Sequence, residues 1–299
     1  MKKQILDGYR LHISEKKLNV YGIIVKKQGQ QVMHRFRSDD KVNVYSVSKS
    51  VTALAIGILM DEQKLTLADN LEKLFPEYVN DMADGTGAIT VQNLLQMTSG
   101  KLEFFDDFRS KNQDNIQVFM QHPLAAKPGE KFCYSNGCTY MLSRIVEKIS
   151  GQTLRDFLVP RLFDVLGIEN PQWFSCHHGH TLGATGLFLT TEELSRIGDV
   201  YLQEGCYNET QIVSADFIKQ CYTKTVLTGD DETLGNWSHY GFQLWLGEVA
   251  GTYRLDGKYN QHALIFPQEQ ATVTITAHEE HCGHEIVIGV YQEIIPNLR

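Results

Sequence analysis

The sequence predicts a mixed α/β fold of the α+β kind: an antiparallel sheet with strands from both ends of the chain, flanked by helices, with a mainly helical insertion between them. Three observations carry this expectation. A β-hairpin pattern stands at 20–36, short helical patterns and breakers fill 65–180, and four strand-like segments gather between Tyr240 and Thr276.

Taken in order, residues 3–17 place Ile5, Leu6, Tyr9 and Ile13 at helical spacing, which predicts a short amphipathic helix. Val20 to Lys27 is β-branched and aromatic, Gln28-Gly29-Gln30 supplies a turn, and Gln31 to Phe36 returns. Asp39 and Asp40 form a loop, after which the apolar residues of Val51 to Met60 recur at helical spacing and predict a largely buried helix. Across 65–180, Pro76, Gly85, Gly87, Gly100, Pro123, Pro128 and Gly129 punctuate short helices. The clearest of these runs from Thr139 to Ile149, with Met141, Leu142, Ile145, Val146 and Ile149 on one face and Gly151 as its C-cap. Thr191 to Leu202 predicts another helix. Strands follow at Tyr240–Glu248, Thr252–Asp256, His262–Phe266 and Ala271–Thr276, then a helix at Glu285–Ile295. The expected organisation is one domain of two lobes, with 1–64 and 181–299 forming the sheet lobe and 65–180 the helical lobe.

The 299 residues are 42% hydrophobic and carry a formal charge of -8, with no long block of one sign. That balance argues against nucleic acid as a partner. No apolar stretch reaches the roughly 20 residues of a membrane-spanning helix, and the first residues, MKKQILDGYRLHISEKK, lack the apolar run of a signal peptide. A cytoplasmic protein that does not enter membranes is expected. Cys133, Cys138, Cys176, Cys206, Cys221 and Cys282 form no C-x-x-C pair and read as free thiols in a reducing compartment.

The strongest chemical signal is Ser46-Val47-Ser48-Lys49, immediately before the buried apolar helix. One helical turn brings Lys49 beside Ser46, and the positive end of the helix favours negative charge developing there. A hydroxyl needs a neighbour to take its proton, and a lysine does so when its charged form is disfavoured, as by burial. Ser48 points elsewhere on the helix. The competing structural role is a helix start with an N-cap serine and a solvated lysine.

The second signal is Tyr134-Ser135-Asn136, after the Pro128-Gly129 turn. In an extended stretch residues i and i+2 project to the same side, so Tyr134 and Asn136 can face one cleft. A tyrosine hydroxyl there can pass protons between serine and leaving group, and an asparagine amide can donate to a substrate carbonyl.

Together, in this order, the two motifs resemble class C β-lactamases and the related penicillin-binding proteins and esterases, for which S-x-x-K is a known signature. The resemblance extends from about Val20 to Ile295. Leu94-Leu95-Gln96-Met97-Thr98-Ser99-Gly100, Lys127-Pro128-Gly129-Glu130 and Thr185-Gly186-Leu187-Phe188-Leu189-Thr190-Thr191 are each similar to family segments without catalytic duty. It implies a β-lactamase/transpeptidase-like fold.

The family's third motif, K-T-G on a cleft-lining strand, corresponds to Leu255-Asp256-Gly257, followed by Lys258-Tyr259. Only the glycine is kept, and it lets the strand approach a substrate closely. By the family pattern, the backbone N–H of Lys258 joins that of Ser46 as an oxyanion hole. The lysine that helps bind a substrate carboxylate is absent, and Asp256 is expected to repel such a group, with Lys258 or Arg254 as compensating cations. This departure argues against efficient β-lactam hydrolysis or peptidoglycan trimming and leaves esterase or amidase chemistry on a less acidic substrate, with D-amino-peptide hydrolysis or a weak β-lactamase activity also open.

His177-His178-Gly179-His180 and the stretch from His278 to His284 have no spacing that specifies zinc, and His278-Glu279-Glu280-His281 is one residue short of H-E-x-x-H. No metal site is expected. Tyr253, Tyr259, Trp237 and Trp245 could line a cleft, although aromatics beside strands usually pack. The expected activity is acyl transfer to water on a small ester, amide or peptide, with Ser46, Lys49 and Tyr134 catalytic, Asn136, Asp256, Gly257 and Lys258 binding substrate, and no cofactor. The alternative is a binding or regulatory protein that kept this fold and lost turnover.

Overall fold

The computed structural model describes residues 3–102, 114–229 and 238–298. The chain begins with a short 3₁₀ turn and helix α1 (Asp7–Glu15), then strands β1 (Val20–Lys27), β2 (Gln30–Arg35) and β3 (Val42–Asn43) and helix α2 (Val47–Asp61). Helices α3 (Leu71–Leu74), α4 (Val91–Leu95), α5 (Asn115–Gln121), α6 (Asn136–Ser150) and α7 (Leu154–Leu158) follow. Then come β4 (Gln172–Trp173), β5 (Leu187–Leu189), α8 (Thr191–Leu202), β6 (Cys206–Tyr207), β7 (Thr210–Gln211), α9 (Ala215–Thr223) and β8 (Val226–Leu227). The remaining elements are β9 (His239–Tyr240), β10 (Trp245–Leu246), β11 (Tyr253–Gly257), β12 (Gln261–Phe266), β13 (Ala271–Ala277) and α10 (Gly283–Gly289).

Eight strands form one sheet in the order β2-β1-β13-β12-β11-β10-β9-β8, every pair antiparallel. The hairpin β1–β2 therefore docks on the late strands through β1 and β13, as the sequence predicts. Every residue of β13 is buried, because helices cover both faces of the sheet. Ile23, Val25, Leu264, Phe266, Val273 and Ile275 pack with Tyr9 and Ile13 of α1 and Ile286 of α10. On the other face, Leu255, Ala263 and Ile265 join the larger core with α2, α6 and α8.

Helix α2 is buried all round from Val47 through Leu59, polar Ser48, Lys49, Ser50 and Thr52 included, as befits a helix enclosed by other layers. It starts four residues earlier than the apolar periodicity suggests, because Val47, Ser48, Lys49 and Ser50 belong to its first turn. Helix α6 likewise starts at Asn136 rather than Thr139. The Ser135 hydroxyl caps it by accepting the Cys138 N–H, and it ends on Gly151 at φ 72° as expected.

The expected strand Tyr240–Glu248 is instead two short strands, β9 and β10, separated by a buried turn. A Cβ on Gly241 would stand 1.9 Å from the Cys221 carbonyl oxygen, and Gln243 adopts φ 60° with its side chain inside. The backbone dives inward there, which a strand cannot do. The expected closing helix is α10, continued by a wider π-helical turn at Val290–Ile294.

Candidate active site

Strand β3 and a tight turn deliver the start of α2 to the end of the sheet. The Val44 N–H donates to the Leu187 carbonyl, and Asn43 Oδ1 accepts the Tyr45 N–H at 2.8 Å, fixing Tyr45 at φ 47°. Positive φ in a bulky residue is uncommon and marks a locally constrained backbone. Ser46 then occupies the N-cap position but makes no side-chain cap bond, so its hydroxyl is not consumed by the helix.

Lys49 is the opposite of a solvated lysine: it is 1% exposed. Its Nζ lies 3.0 Å from Ser46 Oγ, 2.7 Å from Asn136 Oδ1 and 3.0 Å from the Ala184 carbonyl oxygen. An ammonium can donate to all three. A neutral amine can donate to the amide and the carbonyl while its lone pair accepts the serine proton, so the same three contacts suit both forms.

The Tyr134 ring lies 4.8 Å from Lys49 Nζ, stacks on Trp245 and meets Tyr240 edge-on, at centroid distances of 5.8 and 5.9 Å. Phe132 completes this aromatic wall against Tyr240 and Trp245. The Tyr134 ring and the Asn136 side-chain oxygen thus both lie beside the Lys49 nitrogen, with Asn136 at the first position of α6 rather than in the extended stretch that the i, i+2 spacing assumes. Its side-chain oxygen faces Lys49, so it holds the lysine as well as having an N–H₂ to offer a substrate.

The end of β11 abuts the segment preceding the serine. A Cβ on Gly257 would come 2.3 Å from the Val44 carbonyl oxygen, so the glycine is required by backbone packing against Val44. Among the described residues, neither the Ser46 N–H nor the Lys258 N–H has a hydrogen-bond acceptor. Beyond Lys258, the Tyr259 ring contacts Tyr45 edge-on at 5.2 Å. Burial, and then Tyr259, push the Tyr45 hydroxyl above its usual range, with Lys258 opposing.

Asp256 differs from the expectation of a repelling charge in the cleft. Alternation along β11 places Leu255 in the core shared with α2 and turns Asp256 to the opposite face. There its Oδ2 lies 3.0 Å from Arg254 Nε and 3.4 Å from His262 Nδ1. Burial alone would raise this carboxyl, but His262 and Arg254 outweigh it and hold it below the ordinary range. Arg254, 2% exposed, is committed to that pair and is not a compensating cation for substrate, whereas Lys258 is exposed with its ammonium 4.8 Å over the Tyr259 ring.

Some neighbours were not foreseen. The Ala184 carbonyl carries no side-chain signal at all. Gln243, 2% exposed, accepts from Thr139 Oγ1 at 2.6 Å and donates to the Leu94 and Leu95 carbonyls at 3.1 and 2.9 Å, while its own carbonyl accepts from Ser50. It joins α2, α4 and α6 behind the site. The glycine two residues before it, inside an otherwise strand-like run, is the available sequence signal. Tyr253 is core, its hydroxyl donating to the Tyr201 carbonyl, and Trp237 lies outside the described residues. His180 pairs with Glu147 at 2.9 Å and His278 stacks on Tyr259 at 4.2 Å. Among the described residues no group of three or more His, Cys, Asp and Glu side chains could hold a metal, and no helix is long and apolar enough to cross a membrane.

Sheet order and the Ser46–Lys49 turn together mark a class: proteins with the β-lactamase/transpeptidase-like fold. The β-lactamase family model matches residues 16–286, and the chain belongs to that family. Lovastatin esterase of Penicillium rubens is 28% identical over 174 residues, 50% of this chain and 42% of the esterase. Penicillin-binding protein 4* of Bacillus subtilis is 29% identical over 140 residues, 44% of this chain and 30% of that protein. The chain thus aligns with less than half the length of each of these curated relatives. A penicillin-binding protein from Bacillus halodurans shares the fold, with TM-score 0.74 at 17% identity over 97% of this chain and 99% of the other.

Proposed function

We propose that the protein hydrolyses esters or amides through an acyl-enzyme on Ser46. The observation that carries this reading is the buried Lys49 nitrogen 3.0 Å from Ser46 Oγ, held from behind by Asn136 and Ala184. Lys49 as the neutral amine takes the Ser46 proton while Oγ bonds to the substrate carbonyl carbon. The oxyanion that forms is met by the N–H groups of Ser46 and Lys258. Tyr134 passes the proton on to the departing alkoxide or amine, the acyl–oxygen or acyl–nitrogen bond breaks, and water then releases the acid by the reverse traffic of protons.

The substrate class we favour is an ester, or an amide, without the carboxylate that a K-T-G lysine would bind. In support, Leu255 occupies that lysine's position and is fully buried, and Arg254 is paired with Asp256. The name of lovastatin esterase agrees with ester chemistry within this family.

Intact-mass analysis after a fluorophosphonate tests the reading: one adduct is expected on the wild type and none on Ser46→Ala. Absence of an adduct with any acylating probe, penicillin included, would reject turnover in favour of a binding role. Short activated esters are expected to be hydrolysed faster than a chromogenic cephalosporin.

A further inference from the structure

Two three-residue segments meet beside the nucleophile: Val44-Tyr45-Ser46, leading into α2, and Gly257-Lys258-Tyr259, leaving β11. Each contributes one open N–H, and among the described residues no hydrogen bond joins the two segments. Their separation is set by packing alone. One contact is the backbone approach of Gly257 to Val44. The other is the edge-to-face meeting of Tyr45 and Tyr259, 5.2 Å between centroids at 77°.

We propose that Tyr45 and Tyr259 are positioning residues whose ring contact clasps these segments and so sets the spacing of the two oxyanion donors. This rests on the acyl-enzyme reading above. Both tyrosines are held at positive φ, 47° and 61°, an arrangement that persists where the surroundings over-determine it. The surroundings do so on each side. Asn43 Oδ1 accepts both the Tyr45 N–H at 2.8 Å and the Gly186 N–H at 3.2 Å, anchoring the first tyrosine to the loop before β5. The Tyr259 ring is stacked on His278 at 4.2 Å, and its carbonyl accepts the Glu279 N–H at 3.3 Å. The Asn260 side chain, next in sequence, donates to the Glu279 carbonyl.

Each ring is thus braced by its own segment's support and pressed against the other. The two N–H groups lie one peptide inward from the rings, Ser46 directly after Tyr45 and Lys258 directly before Tyr259. A loss of the ring contact changes the spacing of the donors while leaving the side chains of Ser46, Lys49 and Tyr134 chemically unaltered.

The test is hydrolysis of an activated ester and its thionoester by Tyr259→Ala and Tyr259→Phe, with melting temperature followed in parallel. A disturbed donor pair lowers kcat for the ester about tenfold or more with KM within about twofold, because these donors act in the transition state. The preference for oxygen over sulfur at the carbonyl is expected to fall as well, a change that mere loss of stability does not produce. Tyr259→Phe keeps the ring and is expected to restore both. Wild-type kcat and wild-type oxygen preference in Tyr259→Ala would overturn the proposal. Should Tyr259→Ala not fold, Tyr45→Leu carries the same expectation and the same overturning result. Fluorophosphonate labelling of wild-type Ser46 separates the two levels: an unlabelled wild type fails the acyl-enzyme reading, a labelled wild type with an unaffected Tyr259→Ala fails only the clasp.

Discussion

Asn136 and Lys49, far apart in sequence, meet at 2.7 Å, so the asparagine that begins one buried helix holds the lysine in the first turn of another. The contact ties the aim of the amine to the packing of α2 against α6. Lys49→Met keeps the volume and removes the nitrogen. It is expected to lower the rate of Ser46 acylation by about 10²-fold or more, measured as adduct formation against time.

Gly257→Ala is expected to damage both rate and stability, since a Cβ 2.3 Å from the Val44 oxygen forces β11 away from the serine segment. Strain of this kind costs about 1–3 kcal/mol, readable as a lowered denaturant midpoint, and acylation should slow beyond what the midpoint accounts for.

Lys101 contributes a stability increment at alkaline pH. Its ammonium contacts Thr86 Oγ1 at 2.8 Å and the His122 carbonyl, and burial, slightly opposed by Cys138, brings its pKa from 10.5 to about 8. Between those values the unfolded chain holds the proton that the folded chain has lost, so stability rises with pH from about 8 to about 10.4, by about 3 kcal/mol in all. Denaturant titrations across this window should show wild type gaining stability relative to Lys101→Met, the difference between the two isolating Lys101 from the buried Cys221 and tyrosines, whose raised pKa values act in the opposite sense.

Asp256 works in the acid range. Its folded pKa is depressed, so the stability it contributes is present above the unfolded value and lost as pH falls through the folded one, below about 4. Asp256→Asn removes the negative charge that faces Arg254 and His262 and is expected to lower the melting temperature at neutral pH, with a flatter acid limb in thermal melts.

An antiparallel sheet drawn from both chain ends and its longer helices were legible because their apolar periods are long and clean: β1, β11, β12, β13 and α8 lie within a residue or two of the expected positions, whereas the strand order, the short strands β3 to β8 and helix α9 were not. Helix starts at Val47 and Asn136 were less so, since a first turn holding Ser46, Ser48, Lys49 or Asn136 is polar for reasons of contact rather than exposure. Ser46, Lys49, Asn136 and Gly257 could be picked out because motif spacing places them. The direction of Asp256 required the register of β11, and the inward turn at Gln243 required knowledge of what it bonds. Ala184 contributes only a carbonyl, which every residue has.

Pairing between β1 and β13 closes the sheet with strands drawn from opposite ends of the sequence. Long-range closure of this kind delays folding. The ribosome must therefore release β11 to β13 before the segment Gly257-Lys258-Tyr259 can meet Val44-Tyr45-Ser46, so a growing chain carries Ser46 without its facing segment until those strands have emerged.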